Sequence, residues 1–444
     1  MADASTIIQP PPIKSVRSET PKGAWGIAFL LLLYMLVNFA DKIVVGLAGV
    51  PIMDEMKLTT KEFGALGSAF FALFSVAGIV GGFLANKIPT RWLLLGLATV
   101  WALVQFPMIT TVSYSTLVIC RILLGIGEGP AAAIAAHALY KWFPDDRRAL
   151  PTALLAQGSA FGVIIAIPSL NWLIVHYSWH AAFGALGVVG LLWVVAWLIL
   201  GREGPISTTL DAQGRPEAAV PYSKLFFSST FLGCVFASFG AYWALSLGLT
   251  WFTPFIVKGL GFDQTTAGFI SILPWVFGAA IVMLTGLISQ MMSTRGVRSR
   301  MARGVLGAAP LILGGLIVLC LPFVDTPAAR IALLVIGTGL SGSIYVVCGP
   351  MIGEICPVQQ RGAIIATYGA IYTIAGVIAP IVTGVVLEWF PTPLEGYLFG
   401  YKIVGAVLIA SGILGVLLLR PDADRIRLKG GAATGAMPAG VPAE

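Results

Sequence analysis

The sequence is poor in charged residues. Only 11% of its 444 residues are Asp, Glu, Lys or Arg, and 57% are hydrophobic, whereas an ordinary soluble domain carries roughly 25% charged residues. A chain of this composition cannot cover itself with a water-exposed surface, which excludes soluble enzymes, secreted disulfide scaffolds and disordered proteins. The apolar residues must face lipid, and the chain is long enough for many membrane spans of about 20 residues each.

Cysteine and histidine are also scarce. The five cysteines and three histidines include no CxxC pair and no Cys/His cluster, so we expect no disulfide, no metal site and no cofactor. The net charge of +7 is compatible with a nucleic-acid partner, but the basic residues form short clusters between apolar runs rather than one patch. These clusters are typical of membrane-protein loops. We therefore expect the protein to lie in a lipid bilayer and to bind no nucleic acid.

Apolar runs separated by charged or Pro/Gly-rich segments predict about twelve helical spans. Their approximate limits are 24–50, 63–86, 92–112, 115–140, 150–176, 180–201, 226–257, 264–292, 302–323, 328–352, 361–389 and 395–419. The longest polar connection follows the sixth run. The predicted organisation is therefore a cytosolic tail (1–23) without the features of a secretory signal, two six-helix bundles (24–201 and 226–419) joined by a cytosolic linker (202–225), and a cytosolic C-terminal tail (420–444).

The distribution of basic residues predicts the orientation of the spans. With both termini in the cytoplasm, Lys and Arg in the cytoplasmic segments outnumber those outside by about four to one. A weak internal repeat supports two related halves: 82–91 at the end of the second span and 286–295 at the end of the eighth both begin with Gly and end with Thr-Arg. Such repeats place a substrate site near the middle of the membrane, between the halves, and favour alternating access.

Ionisable residues inside a span are costly and indicate function. In the first span, Tyr34, Asn38 and Asp41 share one helical face, and Lys42 follows directly. The functional interpretation of Asp41 is a proton carrier, because a carboxylate in a cavity of low dielectric constant can titrate near neutral pH. The alternative is a static ion pair with Lys42 or with another helix.

The fourth span carries a second pair of charges. Arg121 and Glu128 lie on one face, about 10 Å apart, and Gly125 between them permits close approach of a neighbouring helix. Arg121 is expected to bind an anionic group or to control the protonation of Glu128. The alternative is a buried structural pair.

The second half offers mainly neutral and aromatic groups. Its spans carry Ser341 and Tyr345 in the tenth run and Tyr368 and Tyr372 in the eleventh. Ionic groups in one half and neutral contacts in the other are expected of a cation-coupled carrier of a small solute.

These motifs resemble the major facilitator superfamily. The segment 82–92 resembles its loop motif, and Arg121-x-x-x-Gly125-x-x-Glu128-Gly129 resembles its fourth-helix motif. Together with Asn38-x-x-Asp41-Lys42, they resemble the anion:cation symporter branch, which includes sugar-acid, tartrate, phthalate and hydroxyphenylacetate permeases. The resemblance implies twelve transmembrane helices in two pseudo-symmetric bundles and a transporter rather than an enzyme.

The resemblance also implies roles for individual residues. Asp41 and Glu128 match proton-carrying carboxylates, Arg121 matches the arginine coupled to them, Lys42 occupies a usually basic position, and Gln157 matches a substrate-binding position; a helix-packing amide is the alternative for Gln157. The predicted substrate-binding residues are Tyr34, Asn38, Lys42, Phe74, Arg121, Gln157, Ser341, Tyr345, Tyr368 and Tyr372. The predicted gating loop motif comprises Gly82, Asn86, Lys87 and Arg91.

Several positions depart from the family pattern. Asn86 replaces the usual Asp of the loop motif and Lys87 its basic partner, which predicts a weaker charge relay. Phe74 and Gly78 stand where sugar-acid members often carry Tyr and Gln. Loss of these polar groups argues against a polyhydroxylated substrate and favours a smaller or more apolar carboxylate, such as an aromatic or short hydroxy acid.

The sequence therefore predicts a monomeric carrier of the bacterial inner membrane that imports a small organic anion together with protons. Two alternatives remain: a proton-antiporting exporter of metabolites or drugs with the same fold, and a non-transporting membrane sensor. An intramembrane enzyme is disfavoured, because the chain has no Ser/His, paired-Asp or metal-ligand constellation at reactive spacing.

Overall fold

The computed structural model describes residues 20–85, 87–144, 147–206, 220–357 and 360–434. Within these ranges the chain is helical without strands, and twelve helices are long and apolar enough to cross a membrane. They are α1 (Ala24–Leu47), α2 (Thr60–Leu84), α3 (Thr90–Ile109), α4 (Tyr114–Tyr140), α5 (Leu150–His176), α6 (Trp179–Leu200), α7 (Ser229–Thr250), α8 (Gln264–Thr294), α9 (Arg300–Phe323), α10 (Pro327–Ile355), α11 (Arg361–Leu387) and α12 (Pro393–Leu418). The all-helical twelve-span prediction is confirmed.

The seventh span is shorter than its apolar run. The predicted run extends to residue 257, whereas α7 ends at Thr250 and a turn of π-helix follows at Phe255–Gly259. Pro254 lies between them and lacks the N–H that would continue the α-helical hydrogen bonds.

Small residues let the spans pack with their backbones in contact. In α5, a methyl group added at Gly162 would lie 2.6 Å from the carbonyl oxygen of Leu36 in α1. Only glycine permits this approach. Helix α1, which carries the charged residues, is thereby fixed against the rest of the N-terminal half.

Hydrogen bonds that join the two halves within the described ranges concentrate from the middle of the spans toward the end predicted to be extracellular. These bonds include those of Lys258 with Asp54, Gln264 with Leu47, Thr60 with Gly384 and, nearest the middle, Ser75 with Thr373. The bundle is therefore closed at its predicted extracellular end.

Part of the predicted C-terminal tail is helical. Residues Pro421–Thr434 form a further helix, α13, whose buried Asp424 accepts hydrogen bonds from Ser229 Oγ, Thr230 N and Thr230 Oγ1 at the start of α7. The segments 1–19, 207–219 and 435–444 of the predicted tails and linker lie outside the described residues.

Candidate substrate and proton site

Lys42 and Glu128 form an ion pair inside the N-terminal half. Lys42 Nζ lies 3.1 Å from Glu128 Oε2 and donates to Asn38 Oδ1 at 2.5 Å. The Glu128 side chain is fully buried and that of Lys42 is 10% exposed. The ammonium group also lies 4.2 Å from the centroid of the Phe39 ring and 5.7 Å from that of Phe74, so aromatic faces complete its surroundings.

Asp41 has a separate set of partners. Gln105 Nε2 donates to Asp41 Oδ1 at 2.8 Å, and Arg121 Nη1 donates to the backbone carbonyl oxygen of Asp41 at 3.4 Å. The guanidinium group of Arg121 stacks over Phe70, 4.8 Å from the ring centroid. All three polar side chains are buried.

This pairing excludes two of the alternatives that the sequence left open, an ion pair between Arg121 and Glu128 and one between Asp41 and Lys42. Arg121 and Glu128 form no ion pair within 4 Å among the described residues, because Lys42 of α1 takes the Glu128 carboxylate instead. Asp41 does not pair with Lys42 either, since consecutive residues point about 100° apart around a helix. The four charges therefore belong to two neighbouring clusters, which we call the Glu128 cluster (Asn38, Lys42, Glu128) and the Asp41 cluster (Asp41, Gln105, Arg121).

Close packing of α4 on α2 brings these clusters together. A methyl group added at Gly125 would lie 1.8 Å from the carbonyl oxygen of Phe70. Because the glycine lets α2 approach this far, the rings of Phe70 and Phe74 reach the cations of both clusters.

The clusters retain unused hydrogen-bonding capacity. The buried atoms Asn38 Nδ2, Arg121 Nε and Glu128 Oε1 have no hydrogen-bond partner among the described residues, whereas Glu128 Oε2 contacts the ammonium group of Lys42. Buried polar atoms without partners are costly, so a molecule or proton that supplies partners would be bound favourably here. Tyr34 is buried between the rings of Trp101 and Trp193, and its hydroxyl is likewise unpartnered.

Three other predicted residues line a cavity between the halves. Gln157, Ser341 and Tyr345 border a space of about 250 Å³ formed by α5, α7, α8 and α10. The hydroxyl of Tyr345 is buried without a hydrogen-bond partner, and Phe252 and Trp275 contribute apolar walls.

A chain of aromatic rings connects the N-terminal clusters with this cavity. The centroid of Phe71, which neighbours Phe74 at 6.1 Å, lies 5.6 Å from that of Tyr242. Tyr372 lies 5.3 Å from Tyr242 and 6.0 Å from Tyr345. Tyr368 flanks the chain, 4.8 Å from Tyr372, with its hydroxyl 2.5 Å from Ser238 Oγ.

The predicted gating loop motif is organised by a residue outside it. The Glu203 carboxylate accepts hydrogen bonds from Thr90 Oγ1 (3.0 Å), from Arg91 N (2.9 Å) and from Lys141 Nζ (2.5 Å), so it ties together the ends of α3, α4 and α6. Burial raises the pKa of the Glu203 carboxyl, but the hydrogen bonds from Lys141, Arg91 and Thr90 outweigh burial and hold the pKa below its usual value.

The other residues of that motif contribute less. The side chain of Arg91 donates to the carbonyl oxygen of Leu198 at 3.0 Å, Lys87 is exposed, and Gly82 has open space around it. Asn86 lies outside the described residues.

The second half repeats the Glu203 arrangement. Asp422 of α13 accepts from Ser299 N at 3.2 Å and from Arg300 N at 2.9 Å, at the start of α9. A carboxylate after the last span of each half therefore caps the start of the third span of that half, which supports the internal repeat in the sequence.

Comparison with known proteins identifies the family. Residues 30–346 match the family model described as Major Facilitator Superfamily. The chain belongs to this superfamily.

Its relatives within the superfamily are transporters by name. The hexuronate transporter of Bacillus subtilis is 24% identical, with 89% of this chain and 94% of that protein covered. The D-galactonate transporter of Escherichia coli is 23% identical (89% and 95% covered), and a probable sulfoacetate transporter of Cupriavidus necator is 26% identical (88% and 93% covered). The expectation of a transporter of the anion:cation symporter type, not an enzyme, is confirmed.

A solved superfamily structure confirms the fold. The D-xylose–proton symporter superposes with a TM-score of 0.73 at 16% identity, covering 90% of this chain and 99% of the symporter.

Sequence reasoning missed two residues of this superfamily member. Gln105 is a lone amide in the apolar run of α3, and a survey of polar as well as ionisable residues within the spans would have found it. Glu203 falls in the predicted linker, where a charged residue gives no signal, and only its position in space shows its role.

Proposed function

We propose that this protein imports a small organic anion together with protons, by alternating access, in the inner membrane of a bacterium. Lys42 binds the carboxylate or other anionic group, Glu128 and Asp41 carry protons, and the cavity beside Gln157 and Tyr345 holds the remainder of the substrate. The observation that carries this proposal is the buried ion pair between Lys42 and Glu128.

The ion pair supplies a physical basis for coupling. A substrate anion that binds Lys42 competes with Glu128 for the same ammonium group. Once Lys42 turns to the substrate, Glu128 is a buried carboxylate without a counter-charge, and such a group takes up a proton rather than keep its charge. Anion binding and proton binding then favour each other, as symport requires.

The cavity supports a substrate with few hydroxyl groups. Besides Phe252 and Trp275, its walls include alanine and glycine from several spans, and most of its lining is apolar. A sugar acid would leave hydroxyl groups without partners against these walls, which is costly. A compact anion with an apolar or short body fits better, and the sulfoacetate relative is named for an anion that is not a sugar acid.

The substrate class can be identified by ligand-induced stabilisation. We expect the apparent unfolding temperature of the detergent-purified protein to rise with one class of carboxylate or sulfonate, and more at low pH than at high pH. Shifts only with cationic or neutral amphiphiles would support an exporter instead.

Transport measurements on the variant Glu128→Gln test whether anion transport is coupled to protons through this residue. In proteoliposomes, we expect this variant to exchange the stabilising anion across the membrane but to lose accumulation driven by a pH gradient. Glu395→Gln, which removes an exposed carboxylate at the start of α12, is the control and should accumulate substrate normally. Wild-type accumulation by Glu128→Gln would show that Glu128 does not carry the coupled proton, and accumulation only with the opposite gradient in the wild type would show antiport.

A further inference from the structure

A second pocket lies at the predicted cytoplasmic end of the C-terminal half, apart from the cavity and the charged clusters. It has a volume of about 500 Å³ and is lined by Arg303, Glu354, Arg361, Arg425, Ile365 and three small residues of α10. We call it the arginine pocket.

The charges of the arginine pocket do not balance. Arg303 pairs with Glu354, which also accepts from Ser299 Oγ at 2.8 Å. Neither Arg361 nor Arg425 has a carboxylate within 4 Å among the described residues. The pocket therefore gathers three guanidinium groups around one carboxylate, an arrangement that repels itself unless an anion joins it.

One of these guanidinium groups has a buried nitrogen atom without a hydrogen-bond partner. Arg361 Nε is shielded from solvent and has no hydrogen-bond partner among the described residues. The guanidinium lies against α10, where a methyl group added at Gly353 would be 3.9 Å from Arg361 Nε. Because α10 presents Gly349 and Gly353 here, the space in front of the guanidinium stays open.

The third arginine is placed by a rigid support. Arg425 belongs to α13, and its neighbours Asp422 and Asp424 attach that helix to the starts of α9 and α7. Asp424 is 3% exposed, so α13 is docked on the bundle and holds Arg425 at the rim of the pocket.

From this geometry we infer that the arginine pocket binds a phosphate group through Arg361 and Arg425. Guanidinium groups present paired N–H donors that match the oxygens of a phosphate, and the charge excess of the pocket supplies the attraction. The pocket lies at the ends of α9, α10 and α11, the level at which lipid headgroups surround a membrane protein, and basic pockets between spans on the cytoplasmic side bind anionic headgroups. The phosphate can come from an anionic phospholipid or from a soluble anion of the cytosol.

Thermal unfolding of the full-length protein in detergent tests this inference and separates the two sources. The probes are phosphatidylglycerol, phosphatidylcholine as the zwitterionic comparison, and inorganic phosphate against chloride at equal ionic strength. We expect phosphatidylglycerol or phosphate to raise the apparent unfolding temperature of the wild type by several degrees. A rise with the lipid alone identifies a headgroup site, and a rise with phosphate alone identifies a site for a soluble anion.

Substitutions assign the effect to the pocket. Arg361→Gln and Arg425→Gln should each abolish most of the shift, whereas Arg298→Gln, which removes an exposed arginine near the start of α9 outside the pocket, should retain it. Arg425 is on a surface helix, so its variant keeps the test available if Arg361→Gln fails to fold. A shift as large as that of the wild type in all three variants, or no shift in the wild type, would overturn the inference. The proposed transport function does not affect this outcome, because no substrate is present.

Discussion

Removing one charge of the Lys42–Glu128 pair should destabilise the protein more than removing both. In the variant Lys42→Met, the side chain keeps its apolar stem, but the Glu128 carboxylate remains fully buried without the ammonium group. In the double variant Lys42→Met/Glu128→Gln, neither charge remains. The comparison therefore isolates the cost of an uncompensated charge from the loss of packing.

The structure sets the size of this effect. Glu128 Oε1 has no hydrogen-bond partner among the described residues and Glu128 Oε2 contacts Lys42 Nζ at 3.1 Å, so Lys42 is the main source of stabilisation of this carboxylate. Breaking a buried ion pair from one side costs about 3–5 kcal/mol, whereas replacing the whole pair by neutral groups is often close to neutral. We expect the single variant to be less stable than the double variant by about 2 kcal/mol or more.

The assay is the apparent unfolding temperature in detergent, recorded at one scan rate because such unfolding is often irreversible. The deficit of Lys42→Met should shrink at low pH, where a proton neutralises the buried carboxylate. Equal deficits in the single and double variants, unchanged by pH, would show that the two side chains are not coupled and would refute this account of the pair.

Two further predictions concern the ends of the bundle. A methyl group at Gly46 would lie 1.9 Å from the carbonyl oxygen of Leu249 in the other half, so Gly46→Ala should disfavour the state that is closed at the extracellular end and increase the labelling of cysteines introduced there. The control Gly26→Ala, which adds a methyl group with nothing within 4 Å, should be labelled like the parent protein. Equal labelling of both variants would contradict the prediction. Glu203→Gln should lower stability at neutral pH by about 1–2 kcal/mol, allowing for partial exposure. Because the pKa of Glu203 is lowered in the folded protein, its contribution to stability is present above the pKa of a glutamate in the unfolded chain, about 4.3, and is lost as the pH falls through the folded value. The stabilities of the variant and the parent protein should therefore converge in acid. A stability deficit of the variant that persists in acid would show that the Glu203 charge is not responsible.

The number and order of the spans were predictable because lipid imposes a local rule. Each span must be long and apolar enough to cross the bilayer, and this property can be read from about 20 consecutive residues. The error at the end of α7 has the same origin, since hydropathy counts Pro254 as part of an apolar run but does not register its missing N–H.

The charged residues of the site were predictable, but their partners were not. Asp41, Lys42, Arg121 and Glu128 stand out because charges inside spans are costly. Which charge meets which depends on how α1 rotates against α3 and α4, and helical periodicity within one span carries no information about that rotation. Gln105 escaped notice for a related reason, because a neutral amide has no role until the structure places it beside a carboxylate.

The division into two clusters bears on how protons and substrate are linked. Asp41 accepts its hydrogen bond from Gln105 and has no direct contact with Lys42 among the described residues, whereas Glu128 has Lys42 as its counter-charge. In the proposed cycle, an anion that draws Lys42 away changes the surroundings of Glu128 directly and those of Asp41 only through longer-range charge. Under this proposal, Glu128 is the group whose proton is tied directly to the anion, and Asp41 responds mainly to the pH on the side that is open. Such a carrier binds its anion more tightly when Glu128 is protonated. Without substrate, it moves protons on Asp41 across the membrane only as fast as the empty protein changes between its outward-open and inward-open states.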